Sequence, residues 1–138
     1  MRFLNFFKSN KDEQIKPIIN SIGKFLFTEF DGTKNYKGII NSIIGQNIEL
    51  LFPVIQSQIS NYQVDYFKKI ENNWTSILQQ LKNLKPEIDF ENYNVVNIMI
   101  PEKGNEFYDV DAEIVFKKKG NIISAILIDL NVDEIIEN

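Results

Sequence analysis

Asp109, Asp111 and Glu113 stand at every second position of the segment YDVDAEIVFK. On a β-strand this spacing sends all three carboxylates to one face, ~6.5 Å from one to the next. Facing acids of this kind bind Mg²⁺ or Ca²⁺, or work as an acid–base pair. Asp129 would join the set across a hairpin. The same alternation also describes a strand face turned to water, and that plainer reading is the favoured one. Nothing else in the chain demands a metal.

The three belong to a broader acidic run. Residues 102–138 hold 9 acidic and 4 basic side chains, whereas residues 1–101 hold 10 and 11, so the net charge of −4 comes from the last quarter. A dense negative surface steers basic partners and raises association rates. The residues expected to contact such a partner are Asp109, Asp111, Glu113, Asp129, Asp133 and Glu134. Ordinary solubility is the competing explanation of the same charge.

Tyr62, Tyr66 and Trp74 lie at helical spacing. Exposed, they would stack a base or a sugar; at this spacing they are expected in the core instead. Lys117, Lys118 and Lys119 read as a basic hairpin tip rather than a nucleic-acid patch.

The chain holds no His and no Cys. That removes the commonest general base, the commonest zinc ligands, every thiol nucleophile and any disulfide framework. Arg2 is the only arginine, and an acidic chain is a poor match for phosphate backbones. No Gly-rich phosphate loop or Ser-x-x-Lys signature appears. The expectation is a protein with no catalytic residues, no cofactor, no metal and no nucleic-acid partner.

These residues need a scaffold. At 138 residues with 43% hydrophobic side chains, a single domain with a real core is expected over residues 1–138. Residues 1–16 read as an N-terminal arm and linker. Their apolar run is too short for a signal peptide, and no stretch reaches the ~20 apolar residues of a membrane span. A cytoplasmic protein without membrane contact is therefore expected.

Residues 24–30, 36–44 and 48–52 read as three strands joined by tight turns, with Asp31-Gly32 as a hairpin signal. Residues 58–84 carry one apolar stripe through Ile59, Tyr62, Tyr66, Ile70, Trp74, Ile77, Leu81 and Leu84, which predicts one long amphipathic helix. Residues 93–100, 107–117 and 122–130 read as three further strands. The acidic tail 131–138 would cap the core. The fold class expected is α+β: a mainly antiparallel twisted sheet of about six strands, order βββαβββ, with the helix on one face.

Three segments share a familiar layout: FLFTEFDGTKNYKGIINSIIGQNIELLF, FKKIENNWTSIL and YDVDAEIVFKKKGNIISAILIDL. Over roughly residues 20–130 the chain resembles small bacterial proteins of unknown function that sit beside polymorphic secreted toxins. The resemblance is one of layout and transfers no catalytic residue. It implies a non-enzymatic, immunity-type protein that binds and neutralises a cognate toxin, through an acidic face centred on the last two predicted strands. The alternatives are a structural or ligand-binding module of another system and, less favoured, a carboxylate-based metal hydrolase.

Overall fold

The computed structural model describes residues 16–138. Residues 1–15, and with them nearly all of the expected arm, lie outside the described residues. Eight strands form one sheet: β1 (Ile18–Ile19), β2 (Lys24–Phe30), β3 (Thr33–Ser42), β4 (Gly45–Val54), β5 (Asn94–Met99), β6 (Ala112–Lys118), β7 (Asn121–Ile128) and β8 (Asn131–Glu137). Two helices, α1 (Asn61–Asn72) and α2 (Trp74–Leu84), lie between β4 and β5. A 3₁₀ turn at Phe90–Asn92 leads into β5.

Strand order in space equals strand order in sequence. Every neighbouring pair is antiparallel except β4–β5, which is parallel. A parallel pair needs a covered crossover, and the two helices supply it. The molecule is thus two four-stranded meanders joined along one parallel seam.

Alternation sorts the strand residues. Phe25, Tyr36, Ile48, Leu50, Phe52, Ile98, Ile114, Phe116, Ala125 and Leu127 are buried against Tyr66, Phe67, Ile70, Ile77 and Leu81 of the helices. Gly38 lies on this inner face because no side chain fits there. An added Cβ would sit 2.5 Å from the Lys24 carbonyl oxygen and 2.8 Å from the Phe25 ring. Asp31 and Gly32 both have positive φ (53° and 78°), the backbone of a two-residue hairpin turn between β2 and β3.

The expected six-stranded βββαβββ sheet with one helix over residues 58–84 is corrected in three places. First, the helix is two. Asn73 leaves helical geometry (φ −108°, ψ 16°), and its side-chain Nδ2 donates to the Lys69 carbonyl at 2.7 Å. An asparagine side chain that takes a nearby carbonyl competes with helix continuation. The apolar stripe runs through the break unchanged, so periodicity alone could not reveal it. Residues 58–60 also precede the helix, which starts after Ser60.

Second, the sheet gains β1 and β8. Residues 131–137 are a strand rather than a capping tail, paired to β7 from Ile123↔Glu137 to Ile128↔Asn131. Third, strand β6 begins at Ala112, not at residue 107. Residues 100–111 are a connection with Pro101 and a positive-φ Gly104 (φ 87°) within it; only its ends still bond the neighbouring strands, Ile100 and Glu102 to β4 and Asp111 to β7.

Candidate functional site

The late start of β6 separates the carboxylates that the alternation had placed together. Asp109 is exposed in the connection before β6. Asp111 stands one residue ahead of the strand, where its N–H still donates to the Leu127 carbonyl at 3.1 Å. Glu113 lies within β6, on the face opposite the helices. So Asp109, Asp111 and Glu113 do not share one strand face. Among the described residues, no group of three or more Asp, Glu, His or Cys side chains is placed to hold a metal ion.

A different grouping forms at the end of the sheet. β7 turns into β8 through Asp129 and Leu130, both at positive φ (51° and 65°). A bulky residue such as Leu130 is strained in that region. Two bonds hold the turn. The Asp129 N–H donates to Asp111 Oδ2 at 2.7 Å, and the Leu130 N–H donates to Tyr66 Oη at 3.0 Å. Asp111 therefore acts first as an anchor for the turn.

Tyr62 packs beside Tyr66 with ring centroids 5.8 Å apart, and the Lys103 ammonium lies 5.9 Å from the Tyr62 ring. Burial pushes the Tyr66 phenol up to about 12; the Leu130 N–H offsets part of this, and the charges of Asp111 and Asp129 add to it. Burial also raises Tyr62, with Asp111 and Asp129 again contributing. Two tyrosines and two aspartates thus share one local field.

Asp133 and Glu134 lie farther along β8, the outermost strand. Ile126 pairs with Glu134 and Leu127 with Val132, so Asp133 is the extra residue of a bulge. Glu113 and Glu134 flank Ile126 on the open face of the sheet. Of the six expected contact residues, Asp111 and Asp129 are brought together at the turn. Glu113 and Glu134 share one sheet face two strands apart, and Asp109 and Asp133 are exposed. Among the described residues the ion pairs are Lys37–Glu49, Lys82–Glu91 and Lys85–Glu137, and none involves these six carboxylates.

The remaining candidates are structural. Trp74 stacks on Phe116 at 6.1 Å and 16°. The Lys118 ammonium sits 5.7 Å from the Tyr93 ring at the β6–β7 hairpin. Gln63 is a residue that the linear pattern did not single out. It is fully buried, and its Nε2 donates to the carbonyls of Pro53 (2.8 Å) and Ile100 (2.9 Å). A half-open cleft of about 350 Å³ lies between the β2–β3 turn, the end of β4 and residues 104–108. Lys34, Ile55, Phe107 and Tyr108 line it, and Phe107 is 73% exposed. Among the described residues no helix is long and apolar enough to cross a membrane. No family model, curated protein or solved structure matches the chain.

Proposed function

We propose that this chain is a non-enzymatic, immunity-type binding protein of the cytoplasm. It neutralises a cognate basic toxin, with a nucleic-acid-cleaving protein as the partner class, by covering it. The observation that carries the reading is the outer end of the second meander. Asp111 and Asp129 meet there, Asp109, Asp133 and Glu134 stand within five residues of one of them in the chain, and none of the five is in an ion pair among the described residues. Unneutralised carboxylates attract a cationic surface and favour fast association. Among the described residues β8 is the last strand of the sheet, an edge to which a partner strand can add beyond Val132, whose N–H donates to Gln80 Oε1 at 2.8 Å. On this reading the protein needs no cofactor, no nucleic acid and no membrane.

The test is binding and protection. The purified chain should bind the product of the neighbouring gene and protect cells that express it. Asp133→Lys with Glu134→Lys, both at exposed positions, should lower the association rate about tenfold or more at low salt, with a smaller effect at high salt. No binding at micromolar concentration, and no protection, would sink the proposal.

A ligand-binding module is the second reading, and the cleft beside Phe107 favours it. A small apolar anion meeting Lys34, Phe107 and Tyr108 would raise the melting temperature, and Phe107→Ala would remove that shift.

A further inference from the structure

We infer that the sheet face turned away from the helices is a docking surface for a second copy of this chain. Both helices pack on the other face; on this one Leu26, Ile39 and Ile136 are exposed, whereas Met99, Ser124 and Ile126 are buried. Two rows of side chains cross the open face. The first runs Leu26, Lys37, Leu51, Met99, Glu113, Ile126, Glu134 from β2 to β8. The second runs Ile39, Glu49, Asn97, Val115, Ser124, Ile136 from β3 to β8.

The β2–β7 members of the two rows, Ser124 aside, match one another under one operation. A two-fold axis parallel to the strands, lying over the β4–β5 seam, sets β4 of one copy over β5 of the other, β3 over β6 and β2 over β7. Leu26 then meets Ile126, Leu51 meets Met99 and Ile39 meets Val115. Lys37 meets Glu113. Glu49, an acceptor, meets Asn97, a donor that already bonds Glu49 of its own chain at 3.0 Å. No apolar side chain in these pairs is set against a charge. An isologous interface requires this self-matching, and an unrelated surface has no reason to provide it.

Size agrees with the charge pattern. Leu26 and Ile39, 53% and 63% exposed, would lose the most surface on docking, whereas Met99 and Ile126 are already buried at 9% and 8%. Strand spacing and rise give the face an area on the order of 700 Å², close to the ~800 Å² per partner of a stable interface. An axis along the strands also leaves the two sheets nearly aligned, the common way for sheets to pack. The inference is separable from the toxin reading: Asp109, Asp111, Asp129 and Asp133 lie outside both rows, and Glu134, at the β8 end of the first row, takes no part in the matched pairs.

Charge reversal tests it. The full chain should sediment as a dimer at micromolar concentration. Lys37→Glu alone sets glutamate against Glu113 twice, and Glu113→Lys alone sets lysine against Lys37 twice. Each should raise the dimer dissociation constant about tenfold or more. Mixing the two single variants should restore association as a heterodimer, because each contact is then Lys against Glu. The double variant should dimerise by itself. Within one chain the two residues lie three strands, ~14 Å, apart, too far for rescue inside a monomer. A monomer at about 100 μM overturns the inference and assigns the face to a different occupant. So does a dimer indifferent to the reversals, or one that mixing fails to restore.

Discussion

Gln63 does more for this fold than its polarity suggests. Its backbone closes the α1 cap with Ser60, and its Oε1 accepts from the Ser60 N–H at 3.0 Å. Its Nε2 meanwhile ties the ends of β4 and β5 together through Pro53 and Ile100. Gln63→Leu leaves the Ile100 carbonyl without this donor and should lower the urea unfolding free energy by about 2–3 kcal/mol. Gln63→Glu should cost more at pH 7, since a carboxylate would face two carbonyl oxygens, and should recover on acidification. Tyr66 adds a pH signature. Its phenol ionises at about 12 in the folded chain against an ordinary 10.0. Between these values the unfolded chain loses the proton and the folded one keeps it. Stability contributed by the neutral phenol is thus full below pH 10 and falls as pH rises towards 12. Denaturation at stepped alkaline pH should show that fall, and Tyr66→Phe should flatten it. The Ser60-x-x-Gln63 spacing was a readable cap signal. The inward reach of the glutamine was not, because its partners come from strands 10 and 37 residues away.

The two hairpins of the second meander show where linear pattern succeeds and fails. Ala112, Ile114 and Phe116 alternate inward in β6, and the sequence alternation identified that face. Alternation continued backwards through Val110 and Asp109 as well, and so could not mark where pairing begins. β8 was harder to see. Its turn, Asp129–Leu130, puts a leucine where two-residue hairpins usually place glycine, so the linear pattern reads as a tail. The missing local preference is replaced by tertiary bonds from Asp111 and Tyr66. Removing one should therefore loosen this hairpin in particular. Asp111→Ala should cost about 1–2 kcal/mol. Hydrogen exchange should report it first at the β7–β8 amides, ahead of global opening. The same bond explains why the carboxylates read poorly as a site: spacing groups Asp111 with Glu113, yet Asp111 works with Asp129 across a turn.

The full arrangement of the eight strands could not be read from spacing, because hydrophobic alternation names a strand's inner face and not its neighbour. Hairpin turns supply neighbours for strands close in sequence, which leaves one pairing without a local cue: the parallel seam, where Glu49 meets Asn97 and Leu50 meets Ile98. Loop-closure entropy makes this the hardest contact to reach, since the intervening chain must be drawn in before the pairing stabilises anything. Helices α1 and α2 shorten that chain, and their buried stripe docks on the strands they connect. The two meanders can pair locally, but neither has a covered core until the helices and the seam come together. Folding should therefore be limited by docking at the seam. Leu50→Ala and Ile98→Val, both at fully buried seam positions, should slow folding and give φ-values of about 0.5 or above in chevron analysis. Ile135→Ala on the outer strand β8 should instead speed unfolding, with φ near zero. The opposite ranking would place the nucleus in the second meander, with the seam closing after the barrier has been crossed.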